Sequence, residues 1–97
     1  MKLLVFDFPF QGPWGESLAQ AMQDLAKDIA AEPGLAWKIW TENRAEGRAG
    51  GVYAFADEAS LSAYETKHFA RLAAFGIAQA SARRYDVNAP LSAITRA

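Results

Sequence analysis

The chain has 97 residues and a formal net charge of −1 at pH 7. So even a balance gives no electrostatic footprint for nucleic acid or an anionic membrane surface, and no apolar run approaches the roughly 20 residues that span a bilayer. Hydrophobic residues make up 52% and cysteine is absent, which fits a globular protein of a reducing, cytoplasmic setting and excludes disulfides, thiolate catalysis and Cys-ligated metal.

The length suits one domain, residues 1–97. A domain of this size buries only about two thirds of its unfolded surface, so a partner subunit would add stability. Leu3 to Phe8 alternates, with Leu4, Phe6 and Phe8 on one face and Leu3, Val5 and Asp7 on the other. That period reads as a strand. Asp7 and Pro9 interrupt its likeness to a signal peptide. A loop follows, Gln11 to Gly15, and then a helix from about Glu16 to Glu32. Leu18, Met22, Leu25 and Ile29 fall at helical spacing, and Pro33-Gly34 ends the helix.

Two runs rich in β-branched and aromatic residues come next, near Leu35–Glu42 and Gly51–Ala56. A turn rich in Gly, Arg and Glu joins them into a hairpin, with Arg44, Glu46 and Arg48 reading as its solvated tip. Asp57 suits the N-cap of a second helix, because its carboxylate can accept an orphan N–H of the first turn. Along that helix Leu61, Tyr64, His68, Leu72 and Phe75 recur at steps of three or four, and Gly76 suits the left-handed position beyond its end. A last strand is expected over Ala80 to Val87, and a short helical turn over Leu91 to Thr95.

The order βαββαβ is that of the ferredoxin-like α+β fold, a four-stranded antiparallel sheet with two helices on one face. Nothing in the sequence covers the other face, and no strand offers it a fully polar set. An apolar, uncovered sheet is a dimerisation surface. The expected assembly is a homodimer with two sheets face to face, a dimeric α+β barrel.

The stretches FPFQGPWGESLAQ, EPGLAWKIWTEN, AGGVYAFADEASLSAYETKHFARLAAFG and YDVNAPLS closely resemble the YdhR-type proteins. These are small dimeric α+β-barrel proteins described as mono-oxygenases, and the resemblance runs from Leu3 to about Ile94. Their wider superfamily holds cofactor-independent quinone-forming oxygenases, haem-degrading oxygenases and non-catalytic modules. Haem-degrading relatives use an Asn on the first strand, a Trp late on the third and a His on the second helix. The nearest positions here are Asp7, Phe55 and His68, and only the histidine matches, which argues against haem degradation.

His68 is the only histidine, on the same helix face as Tyr64 and Leu72. Two readings stay open for it: a base beside a phenolic substrate, or a core histidine bonded to a backbone or tyrosine group. One histidine with no cysteine argues against a transition-metal site. Trp37 and Trp40 have opposite parity, so one faces the helices and the other the dimer seam, each a ligand-stacking ring or a packing anchor. Asp7 and Glu42 need partners if buried, and Arg71, Arg83 and Arg84 are available. The resemblance implies oxygen insertion into an activated phenol, a small aromatic held between sheet and helices without a bound cofactor. On that reading His68 is the base, Tyr64 or Arg71 stabilises the anion, and Trp40 and Tyr53 are pocket walls. Phe6, Trp37 and Phe55 complete the candidate substrate-binding set.

Overall fold

The strand alternation is realised in the structure, a computed structural model that describes residues 1–97. Strand β1 (Lys2–Pro9) buries Leu4 and Phe6 and turns Leu3, Val5 and Asp7 to the opposite face. Helices α1 (Gly15–Ala21) and α2 (Gln23–Ala30) follow, then β2 (Leu35–Asn43) and β3 (Arg48–Phe55). Helix α3 (Glu58–Ala74), strand β4 (Ser81–Asp86) and the short α4 (Ala89–Ile94) complete the chain. The sheet runs β2-β3-β1-β4 with every pair antiparallel, the ferredoxin-like arrangement.

Register then decides which side chains meet. On the helix-covered face Leu4 lies beside Tyr53, and Lys38 lies beside Tyr53 from the other side. One step along, Trp40, Gly51, Phe6 and Ala82 form the next row. On the open face the rows are Trp37, Ala54, Leu3, Tyr85, and Ile39, Val52, Val5, Arg83. An irregularity between Leu35 and Trp37 shifts the parity of β2, so Trp37 (43% exposed) and Ile39 (57%) stand on that open face. The core lies between sheet and helices: Leu4, Phe6, Tyr53 and Phe55 against Ile29, Leu61, Tyr64 and Leu72.

Helix α3 starts and stops as its sequence requires. The Asp57 carboxylate accepts the Ser60 N–H at 2.7 Å. At the other end the Gly76 N–H donates to Ala73 O at 3.0 Å and the Ile77 N–H to Leu72 O at 2.9 Å, with Gly76 at φ 78°. This left-handed closure returns Ile77 against Leu72.

Three expectations need correction. The helix expected over Glu16 to Glu32 relaxes at Met22 (φ −103°, ψ 9°), although Met22 still bonds Leu18 and Ala26 through its backbone. Met22 and its neighbours are ordinary helix formers, so periodicity carries no mark of this one-residue break. Arg48 is not at a solvated tip: β3 begins at Arg48, and its guanidinium pairs with Asp7 across β1. Asp7 is half-exposed on the open face, so Arg71, Arg83 and Arg84 are not its partners. Glu42 is likewise unburied, and accepts the Gly15 N–H at 2.7 Å instead of pairing with an arginine.

Gly50 admits β3 this close to β1. A Cβ there would lie 1.9 Å from the Phe6 carbonyl oxygen, a backbone atom that cannot swing away. Gly50→Ala is therefore expected to cost about 2 kcal/mol or more, on the scale of overpacked cores. Urea denaturation measures it, and an unchanged midpoint would refute the close approach.

Candidate active site

A small pocket of about 80 Å³ opens between the inner sheet face and the helices. Phe8 and Phe10 form one wall, Leu18 and Met22 another, and Trp40 closes the β2 side. The closure of α3 supplies Leu72, Phe75 and Ile77. Phe10 is held by its N–H to Gly47 O (2.8 Å) and by an edge-on contact with Trp14, so the β1–α1 loop is tied to the hairpin.

Tyr53 and His68 are the convergent polar pair of this lining. Tyr53 Oη lies 3.3 Å from His68 Nε2, a long hydrogen bond. His68 is only 3% exposed, edge-on to Phe6 and stacked on Tyr64. Burial, with the Lys38 and Arg71 charges adding to it, brings its pKa from 6.5 to about 3. The imidazole is neutral at physiological pH. Burial also pushes the Tyr53 phenol far up and the Tyr64 phenol to about 12, so both stay protonated.

Five of the residues singled out in the sequence lie elsewhere. Tyr64 and Phe55 belong to the core behind the pocket, and Tyr64 Oη is buried without a partner. Arg71 donates to Asp28 at 3.1 Å and reaches the pocket through its charge, which helps hold Lys38 and His68 neutral. Trp37 stands on the opposite face of the sheet. Phe6 packs on His68 from the core side. Of the three positions compared with haem-degrading proteins, Asp7 and Phe55 do not meet His68 in the pocket: Asp7 is on the open face and Phe55 in the core. No group of three or more His, Cys, Asp or Glu side chains comes together that could hold a metal.

Sequence reasoning missed Lys38. It lines the pocket with Nζ 3.3 Å from the Trp40 ring centroid, and burial with the Arg71 charge brings it from 10.5 to about 7. A signal existed: Lys38 has the parity of Trp40, so whichever face took that tryptophan took the lysine too.

A protein-family model described as "Putative mono-oxygenase ydhR" matches residues 3–97. The chain belongs to the ydhR family. Among solved structures, a chain described as a "putative antibiotic biosynthesis monooxygenase" from Deinococcus radiodurans has the same fold, with a TM-score of 0.66. The two share 12% identity, over 91% of this chain and 93% of that one, so the likeness speaks for the fold alone. No curated protein matches the chain. Membership in the ydhR family supports a mono-oxygenase. No helix is long and apolar enough to cross a membrane.

The neutral histidine has a thermodynamic signature. From pH 6.5 down to about 3 the unfolded chain binds the His68 proton and the folded chain does not, so stability falls as pH falls through that window. His68→Gln should flatten this slope in melting temperatures followed by circular dichroism. Parallel slopes for the two proteins would show that the ring is not held neutral.

Proposed function

We propose that the pocket oxidises a small phenol- or quinone-like aromatic with dioxygen, without a bound cofactor. The observation that carries this reading is a mostly apolar pocket that ends on the Tyr53–His68 hydrogen bond. In the implied reaction a phenol and one O₂ give a quinone and one water. The substrate supplies all the electrons, one oxygen atom enters the ring and the other leaves as water. The protein contributes orientation, exclusion of water and control of one proton. Phe8, Phe10 and Trp40 would sandwich the ring. The long Tyr53–His68 bond is one that a substrate hydroxyl can replace, with neutral His68 accepting and Tyr53 donating. A pKa near 3 makes His68 a weak base, so its proposed role is to orient that hydroxyl.

A second reading is a ligand-binding homodimer without turnover. It draws on that same weakness of His68 as a base. Oxygen uptake separates the two. The oxygenase reading expects phenols or hydroquinones to be consumed with one O₂ each above the uncatalysed rate, and His68→Gln to lower turnover on the order of a hundredfold. Ligand binding by the wild type with no oxygen uptake would favour the second reading.

We also propose that the active form is a cytoplasmic homodimer joined through the open sheet face. The exposed Trp37, Ile39 and Tyr85 around Leu3, Val5 and Val52 support it, because an isolated monomer rarely leaves such a patch to water. Light scattering should give twice 10.6 kDa, and Ile39→Lys should return the monomer. A wild-type monomer at micromolar concentration would exclude this assembly.

A further inference from the structure

The chain has ten lysines and arginines. Lys2, Arg48, Lys67, Arg71 and Arg84 make ion pairs. Lys27, Arg44, Arg83 and Arg96 are exposed, where water solvates them. Lys38 alone is partly buried and has no carboxylate beside it. No acidic side chain lines its pocket. The side chain crosses the inner sheet face at Gly51, where a Cβ would stand 2.7 Å from Lys38 Cε. It ends between two rings, 3.3 Å from the Trp40 centroid and 4.7 Å from that of Tyr53. Ring faces attract a cation, but they return only part of the hydration that burial removes. The rest is available to an anion that enters the pocket.

We propose that Lys38 is the pocket's proton acceptor and anion seat: it takes the proton of an acidic phenol and holds the resulting phenolate against its own ammonium. This rests on the pocket assignment above and names the substrate class for it, an ionisable planar phenol bound as its anion. The bookkeeping is simple. The phenol O–H bond breaks, an Nζ–H bond forms, the amine becomes an ammonium and no electron leaves. In the oxygenase reaction the phenolate is the electron-rich form that reduces dioxygen.

The groups around Lys38 agree with this role. Tyr53 on β3 and His68 on α3 are neutral, and Leu18, Met22 and Leu25 from the α1–α2 side carry no charge. Arg71 on α3 is the one nearby cation, and it favours the free amine that the proton transfer needs. With the amine and the ammonium both present near pH 7, the empty pocket can accept the proton and the filled one can keep it.

The test uses 4-nitrophenol, whose anion absorbs in the visible. Below the pH at which the free dye ionises, adding wild-type protein should raise the phenolate band. Lys38→Met should abolish that rise and weaken 4-nitrophenol binding on the order of tenfold or more. Its affinity for nitrobenzene, the same ring without an ionisable hydroxyl, should be kept. The variant should melt at or above the wild-type temperature, because an uncompensated cation is gone. Lys38→Gln repeats the test if Lys38→Met does not fold. Three results would overturn the proposal: no binding of 4-nitrophenol to the wild type, binding only of its neutral form, or an undiminished phenolate band in the Lys38 variants. Oxygen uptake is scored separately. A Lys38-dependent phenolate band without uptake leaves the anion seat standing and ends the oxygenase reading. Undiminished uptake by Lys38→Met does the reverse.

Discussion

Two consecutive positions on β3 without side chains hold the inner face of this protein together. At Gly50 the backbone comes against the Phe6 carbonyl, where no Cβ fits. At Gly51 the missing side chain leaves the space that the Lys38 stem occupies. The first fixes how closely the central pair of strands packs, and so where Leu4, Phe6, Tyr53 and Phe55 meet α3. The second opens a channel across the sheet between Trp40 and Phe6. A larger residue at either place would part the strands or fill the pocket.

Much of this frame was legible in the sequence, because its signals are local. The alternation in β1, the Pro33-Gly34 stop, the Asp57 cap and the Gly76 closure each depend on a few neighbouring residues. What was not legible depends on register. Asp7 and Arg48 lie 41 residues apart, and their pairing follows from how far the hairpin extends before it turns. Reading the Arg/Glu-rich stretch as a wet tip shortened β3 and hid that partner. The irregularity at Ala36 sits in an otherwise ordinary strand, so parity could separate Trp37 from Trp40 without saying which faced the helices. Lys38 was passed over for the same reason. Its meaning appears only once its face is known to be the inner one.

The site achieves its electrostatics at some expense in stability. Tyr64 Oη, His68 Nδ1 and Arg71 Nη1 are all buried without a hydrogen-bond partner, and all three belong to α3. Each such group costs about 1–3 kcal/mol when nothing replaces its water. They recur at helical spacing along the surface that faces sheet and α2, where an all-apolar stripe would serve folding better. Arg71 shows what the arrangement provides. Tied to Asp28 on α2, it stays near the pocket as a fixed positive charge and discourages protonation of two pocket side chains without lining the pocket itself. Burial does most to set how both titrate, and this charge one layer behind the pocket surface adds to it.

Trp40 is a wall shared by two spaces. Its indole borders the pocket and also a second cleft that reaches Gly15, Ala19, Gln23 and Glu42. Leu18 and Met22 border both, and Met22 is where the helix loses its regularity. The partition between the two spaces thus consists of one indole under the Lys38 Nζ, backed by a turn of relaxed helix. The same indole is therefore both a boundary of two spaces and the ring under the Lys38 Nζ, so any shift of Trp40 that joins the two spaces also gives up its contact with the lysine.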